Sequence, residues 1–344
     1  MDPLLPEPIQ VGLAGYGTSG SIFHAPFIAA EKRLRLAAVM TTTRREKAER
    51  ELPGVRVVAG FRELIEEPEL DLIVVATPTA THYEIARTAL LAGKHVVIDK
   101  PMTVTVAEAD ELIELASKRG RLLSVYQNRR WDGDFQTVRK LIDSGKLGTV
   151  FQYEAHYDRF RPWMKGGWRE QDLPGSGILY DLGSHLIDQA MQIFGPLEVV
   201  MADVFRQRDN STADDYFHLV LKKDRLRVIL HASMFVLDPG PHYAVYGDAG
   251  SFLKYGMDPQ EDQLRAGMRP GDPGWGFDAG DRAGVLTLAD GSKETIATER
   301  GAWEGLYKGI ADALTGAGKN PVDPRGARNV IAAIKALLAT DGHG

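Results

Sequence analysis

Six residues near the start of the chain have the types and spacing of a phosphate cradle. Gly15-Tyr16-Gly17-Thr18-Ser19-Gly20 is a G-x-G-x-x-G that directly follows one apolar run and opens an amphipathic one. In a strand-to-helix turn, glycine at these positions lets the backbone approach a pyrophosphate. The helix N-terminus then offers unpaired N–H groups and the positive end of its dipole. The alternative is a tight loop that binds nothing. The flanking pattern favours a dinucleotide held by Gly15, Tyr16, Gly17, Thr18, Ser19 and Gly20.

About 20 residues beyond such a motif, an NAD-binding fold usually places Asp or Glu on the ribose 2′-hydroxyl. Here the chain reads Thr41-Thr42-Thr43-Arg44-Arg45. A carboxylate would repel a 2′-phosphate, whereas the hydroxyls of Thr42 and Thr43 donate to it and the Arg44 guanidinium pairs with it in fork geometry. NADP is the expected cofactor, with NAD second. The bland reading is that Arg44 and Arg45 only solvate the first turn of the next helix.

Two further segments, Ala76-Thr77-Pro78-Thr79-Ala80-Thr81-His82 and Asp99-Lys100-Pro101, close apolar runs of strand character. In open parallel sheets ligands bind beyond the carboxyl ends of the strands. Thr77, Pro78 and His82 are therefore candidate cofactor contacts, and Lys100 is a candidate for both cofactor contact and catalysis. A solvated loop lysine is the alternative.

The elements that must position these residues are legible as a rhythm. Strands are predicted at Ile9 to Leu13, Leu36 to Met40, Val55 to Val58, Leu72 to Ala76, His95 to Ile98 and Leu122 to Tyr126. Helices are predicted at Ser19 to Ala30, Arg44 to Leu52, Phe61 to Glu66, His82 to Ala92 and Val106 to Arg119. This alternation specifies an α/β, doubly wound parallel sheet of the Rossmann type over residues 1–127. Over residues 128–344 the pattern becomes α+β, with a large, mostly antiparallel open sheet. A helix at Phe135 to Ser144 precedes strands at Phe151 to Tyr157, Val199 to Arg206, Phe217 to Leu221, Arg227 to Met234, His242 to Gly247, Ser251 to Tyr255 and Gly284 to Leu288. Gly267 to Gly280 reads as a surface loop. The C-terminal helix, residues 325–340, is a candidate to pack back toward the first domain.

At 344 residues the chain exceeds one ordinary core and suits two domains. Its 44% hydrophobic and 26% charged residues are globular, and the absence of cysteine excludes disulfides, thiolate metal sites and cysteine nucleophiles. Met1 to Pro8 lacks the features of an export signal, and no run of about 18 apolar residues occurs. A cytoplasmic location with no membrane partner is expected. The net charge of -6 argues against a nucleic-acid partner.

Together with Gly175-Ser176-Gly177-Ile178-Leu179-Tyr180-Asp181-Leu182-Gly183-Ser184-His185-Leu186-Ile187-Asp188, these segments resemble the Gfo/Idh/MocA family of nicotinamide-dependent oxidoreductases over nearly the whole chain. Phe23-His24-Ala25-Pro26, Gln127-Asn128-Arg129-Arg130-Trp131 and Asp158-Arg159-Phe160-Arg161-Pro162 resemble its NADP-dependent scyllo-inositol dehydrogenase branch. The resemblance implies a catalytic trio of Lys100, Asp181 and His185 acting on a secondary alcohol or ketone of a polyol or sugar. If the motif is helical, residues four apart share a face, which suits Asp181 and His185 to a common pocket. His185 would take a hydroxyl proton near neutral pH, Lys100 would stabilise the developing alkoxide, and Asp181 would orient the pair or bind substrate. Capping and core roles are the plain alternatives for Asp181 and His185.

The resemblance further implies substrate contacts from Tyr157, Asp158, Arg161, Trp168 and Arg169, for whose arginine and tryptophan cluster a packed cation–π pair holding a loop is the equal alternative, a cis Lys100–Pro101 bond, and a homodimer or tetramer. Asn128 is expected to touch cofactor or substrate. Asp99 departs from the family's usual glutamate. No metal is expected, since His24, His82, His95, His156 and His185 form no recognisable ligand motif. An aldose or dihydrodiol dehydrogenase of the same fold, and a non-catalytic NADP-sensing regulator, are the competing functions.

Overall fold

Buried on both faces, the central strands of the first sheet are near-continuous runs of Val, Ile and Leu, as a parallel sheet covered by crossover helices requires. A computed structural model of the chain describes residues 5, 7–278, 280 and 282–340. The first sheet comprises β1 (Ile9–Ala14), β2 (Leu34–Met40), β3 (Arg56–Val58), β4 (Leu72–Val75), β5 (His95–Asp99) and β6 (Leu123–Tyr126). All pairs are parallel, in the order β3-β2-β1-β4-β5-β6. This is the expected doubly wound sheet, and its strand order reverses between β1 and β4. Such a switch point opens a crevice beyond the strand ends.

The crossover helices are α1 (Ala25–Ala30), α2 (Arg45–Glu51), α3 (Phe61–Ile65), α4 (His82–Leu91) and α5 (Val106–Arg119). At the start of α5, Thr105 Oγ1 accepts the Glu108 N–H and the Glu108 carboxylate accepts the Thr105 N–H, a reciprocal cap. The single helix expected from Ser19 to Ala30 is instead two pieces. Ser19–His24 winds as a π-helical turn in which Gly20 O accepts the Ala25 N–H, and α1 follows. Pro26 has no N–H to give, so the regular ladder cannot run through this point.

The rest of the chain adds α6 (Gly133–Asp143), β7 (Val150–His156), α7 (Ser184–Phe194), β8 (Glu198–Phe205), β9 (Tyr216–Lys223), β10 (Leu226–Ser233), β11 (Tyr243–Gly247), β12 (Gly250–Lys254), α8 (Gln260–Arg265), β13 (Gly284–Leu288), β14 (Lys293–Ile296), α9 (Glu304–Leu314) and α10 (Pro324–Thr340). Among the described residues, β7 to β14 form one eight-stranded sheet, ordered β14-β13-β12-β11-β7-β10-β9-β8. Only β7 and β10 pair in parallel. The α+β, mostly antiparallel expectation holds, with α8, α9 and β14 additional to the elements read from sequence and with α7 answering the condition placed on the motif of Asp181 and His185. One sheet face turns Tyr153, Ala155, Phe217, Leu219, Val228 and Leu230 into a core shared with Leu186 and Ile187 of α7 and with Val330, Ile334 and Leu337 of α10.

By compactness the chain forms two units rather than two consecutive stretches. The first holds residues up to Asn128 together with Asp262–Trp275 and Trp303–Arg328. The second holds Arg129–Glu261, Gly276–Ala302 and the chain from Asn329 onward. In the first unit the returning segments bring Trp275 and Trp303 against Phe27, with ring centroids 5.9 and 6.2 Å away. No helix among the described residues is long and apolar enough to cross a membrane. The reading of Met1 to Pro8 falls mostly on residues outside those described, as does residue 279 of the Gly267 to Gly280 loop.

Candidate active site

The glycine turn of the first unit is shaped by two close approaches and one gap. Gly15 has φ +110°, and a Cβ there would meet Ala76 O at 2.6 Å. A Cβ on Gly20 would lie 1.9 Å from Gly15 O. At Gly17 a Cβ would meet nothing within 4 Å. Two glycines thus allow the turn to close against the end of β4, and the third leaves open the space a pyrophosphate needs. The residues fit the dinucleotide group. Tyr16 is buried, its hydroxyl donating to Glu51 Oε2 at 3.1 Å. Burial, and then Glu51, push its phenol above the usual range.

Thr42, Thr43 and Arg44 stand together. They line a surface depression of about 460 Å³ with Arg45, Glu46, Lys47 and Arg50. The Arg44 N–H donates to Thr41 Oγ1 at 3.2 Å, shaping the turn before α2. Arg45 and Lys47 lean on Glu49 and Glu51, at 3.1 and 3.8 Å, whereas Arg44 has no ion pair among the described residues. Arg50 also stands 3.9 Å from Glu51, so of the four cations at the depression Arg44 is the one whose charge is not offset by a neighbouring carboxylate among the described residues.

At the end of β4, His82 is buried with Nε2 2.9 Å from Thr77 O and Nδ1 3.0 Å from Pro101 O. It ties the loop after β4 to the loop after β5. Burial lowers its pKa, against the pull of Asp99 and the carbonyls. The Lys100–Pro101 bond is cis, as expected. Asp99 anchors the backbone beneath Lys100: Oδ1 accepts the Lys100 N–H at 2.8 Å and Oδ2 accepts the Ser19 hydroxyl at 2.5 Å. His24 Nε2 stands 3.8 Å from Asp99 Oδ2, and its Nδ1 meets the Tyr307 hydroxyl at 2.7 Å. Burial alone would raise the Asp99 pKa, but His24, Lys100 and Ser19 outweigh it and hold the carboxyl well below the carboxylate range. The shorter Asp99 is therefore well supported. The sequence marks His24 as part of a motif but not as a neighbour of Asp99, and does not mark Tyr307 at all.

In the second unit, Asp181 and His185 lie on a helical segment with an irregular start. Leu179–Gly183 is a π-helical turn that hands over to α7 at Ser184, as the glycine motif of the first unit also runs into such a turn at Ser19–His24. Asp214, which no motif or spacing marks in the sequence, sets the entry to this one. Its carboxylate accepts the Leu179 N–H at 2.7 Å, and its carbonyl accepts the Ile178 N–H at 3.0 Å. Gly177, at φ +82°, leaves room for it, since a Cβ there would lie 1.8 Å from Asp214 Oδ1. Burial raises the Asp214 pKa to about 6, against the backbone hydrogen bonds.

Arg169 Nε donates to Asp181 Oδ1 at 3.3 Å, and its guanidinium lies 4.5 Å from the Trp168 ring centroid. The structure thus brings Trp168, Arg169 and Asp181 together. Arg161 pairs with Glu170 at 3.2 Å, and Tyr157 is buried against the guanidinium groups of Arg129 and Arg159, 5.2 and 4.7 Å from its ring centre. Asp158 is not among them, because neighbouring residues of an extended strand point to opposite faces. It faces His156 and His231. His185 is buried in the first turn of α7. Asp188 on α7 holds Arg130 through two bonds of 2.8 and 2.6 Å. Asn128, in the first unit, is buried at the head of the 3₁₀ turn Asn128–Trp131.

Residues 9–127 match the family model described as oxidoreductase family, NAD-binding Rossmann fold, and residues 139–344 match its C-terminal alpha/beta domain. The chain belongs to the Gfo/Idh/MocA oxidoreductase family. Like the other members it is an enzyme, acting on CH–OH groups with a nicotinamide cofactor. It is 44% identical to the oxidoreductase YdgJ of Escherichia coli (strain K12), over 97% of each chain. It is 42% identical to the scyllo-inositol 2-dehydrogenase (NADP(+)) IolW of Bacillus subtilis (strain 168), over 96% of this chain and 93% of IolW. The solved structure of Bacillus subtilis yvaA superposes with a TM-score of 0.94 at 41% identity, covering 98% of this chain and 97% of that one.

Proposed function

We propose that this oxidoreductase uses NADP to interconvert a secondary alcohol and a ketone on a polyol or sugar, with scyllo-inositol the leading substrate. The observation that carries the cofactor choice is the depression lined by Thr42, Thr43, Arg44, Arg45, Lys47 and Arg50, where a ribose-binding carboxylate would otherwise stand. The similarity to IolW supports both the cofactor and the substrate class.

Gly15, Gly17 and Gly20 would hold the pyrophosphate, and Thr42, Thr43 and Arg44 the 2′-phosphate. When bound, the nicotinamide supplies the two-electron acceptor. In alcohol oxidation His185 takes the hydroxyl proton, since imidazole titrates near neutrality. Lys100 stabilises the alkoxide with its ammonium, on a backbone fixed by Asp99. Asp181, with Arg169 on its carboxylate, binds substrate hydroxyls. Tyr157, Arg161, Trp168 and Arg169 complete the substrate contacts. The exposed Met201, Phe205, Tyr246 and Val285 on the eight-stranded sheet support a homo-oligomer.

The test is oxidation of an inositol and sugar panel with NADP and NAD side by side. Lys100→Ala and His185→Ala should each lose at least about 100-fold in kcat and keep NADP affinity. Arg44→Ala should raise the KM for NADP and leave that for NAD unchanged. Wild-type turnover in both catalytic variants would overturn the assignment.

A further inference from the structure

The eight-stranded sheet carries, on the face turned away from its hydrophobic core, a cluster that the proposed reaction does not use. Side chains alternate along a strand, so while Tyr153, Ala155 and Tyr157 enter the core, Glu154, His156 and Asp158 turn the other way. Register then supplies what sequence spacing lacks. His231 on β10 is directly opposite His156 on β7, and His218 on β9 is directly opposite His231. Three imidazoles therefore form a ladder over adjacent strands, with neighbouring ring centroids 5.4 and 5.7 Å apart.

Asp158 sits between the first two rings. Its Oδ2 is 3.6 Å from His156 Nδ1 and its Oδ1 is 2.8 Å from His231 Nδ1. The shorter contact is not aligned as a hydrogen bond, and the buried His231 Nδ1 has no other hydrogen-bond partner. A ring nitrogen and a carboxylate oxygen that converge in this way are placed as neighbouring donors to a metal ion standing off the line between them. The orientation of His156 adds a second, independent sign. On its far side Nε2 meets Glu154 Oε2 at 3.3 Å, which draws the ring proton to Nε2 and leaves the Nδ1 lone pair facing Asp158. That is the carboxylate–histidine–metal arrangement of outer-shell partners. Asp158 is itself steadied by the Ser233 N–H, 3.1 Å from Oδ1.

We propose that His156, Asp158 and His231 ligate a first-row transition ion of the Zn²⁺ class, with Glu154 orienting His156. One ligand atom from each of the three lies within 4.8 Å of the others. Around a tetrahedral Zn²⁺ with bonds of about 2.0–2.1 Å, ligand atoms stand about 3.4 Å apart, so the 3.6 Å contact of His156 already has the spacing and small side-chain rotations need only open the 2.8 Å contact of His231. Two imidazoles and one carboxylate leave the fourth position to water, and the nitrogen ligands disfavour Mg²⁺ and Ca²⁺. The sheet face lies outside the machinery assigned to Lys100, Asp181 and His185, so the role of the ion is structural, cross-linking β7 to β10.

The full-length chain, stripped with a chelator, is titrated with Zn²⁺ against a chromophoric competitor, and with Co²⁺ while its visible ligand-field bands are followed. The wild type should take up one equivalent. His156→Ala and His231→Ala should each weaken binding at least about 100-fold, and Glu154→Gln about 10–100-fold. His185→Ala should bind as the wild type does. Each variant is first checked for thermal stabilisation by NADP, and His231→Gln replaces any that has lost it. Wild-type affinity no tighter than that of His156→Ala or His231→Ala, or an equal loss in His185→Ala, would overturn the proposal.

Discussion

Adding one methyl group at each of two glycines separates what the nucleotide turn needs to fold from what it needs to bind. In Gly20→Ala the new Cβ would sit 1.9 Å from Gly15 O, where contacts under 3.0 Å essentially never occur. Backbone must therefore move by about 1.1 Å in a turn pinned between β1 and the π-helical segment, an overpacking that costs about 1–3 kcal/mol. At about 2–4 °C per kcal/mol for a unit of this size, Tm should fall by about 2–12 °C, and NADP binding should fall with it. Gly17→Ala meets nothing within 4 Å. Its stability should stay within about 0.5 kcal/mol of wild type, while the methyl fills the cradle and raises the NADP Kd at least about tenfold, or about 1.4 kcal/mol. Differential scanning fluorimetry gives the first quantity and titration of protein fluorescence with NADP the second. Gly17→Ala binding NADP as tightly as wild type, or Gly20→Ala melting at the wild-type temperature, would refute the division of labour.

The paired charges of the second unit give two further expectations. Asp188→Asn leaves the Arg130 guanidinium buried beside a neutral amide, with 12% and 2% of the two side chains exposed, and should cost about 3–5 kcal/mol in urea unfolding. The double change Arg130→Met, Asp188→Leu should recover most of that, and a loss under about 1 kcal/mol in Asp188→Asn would show that the pair does not hold α7 in place. Asp214 works in the opposite sense. Its folded pKa of about 6 lies above the ordinary aspartate value, so the folded state binds the extra proton, and stability from this group falls as pH rises from about 4 to 6. Asp214→Asn keeps an acceptor for the Leu179 N–H without the buried charge. It should be more stable than wild type at pH 8 by up to about 3 kcal/mol and should flatten the slope between pH 4 and 6. An unchanged slope in denaturant unfolding would sink that reasoning.

Much of the first unit is legible because its signals are local. The runs Leu72 to Val75 and Val96 to Ile98, the cap at Thr105 and Glu108, and the glycine turn each declare themselves within a few residues. The helix Val106–Arg119 matches its predicted bounds at both ends. Less legible is α9, where Gly305 and Gly309 weaken the helical signal. A side chain at Gly309 would strike Pro321 Cβ at 2.7 Å, so packing demands what propensity disfavours. The returning segments also escape a linear reading, because Trp275, Trp303 and Tyr307 belong by contact to a unit whose sheet ends at Tyr126, 149 residues before the first of them. The same limit hides Asp214 from the motif it supports, and hides His231 from His156, far apart in the chain yet paired across two strands. Those neighbours are set by strand register, which no spacing rule reads.

A π-helical turn is an α-helix holding one residue too many, and the wider turn absorbs that surplus so that the helix after it keeps its phase. Deleting a single residue from Leu179–Gly183 would close the turn into a regular helix and leave α7 facing as it does now. His185 and Asp188 would keep their sides, and Asp188 its line to Arg130, while Asp181, inside the turn, would shift against Arg169. The surplus residue therefore bears on where one carboxylate stands, and not on the helix that carries His185.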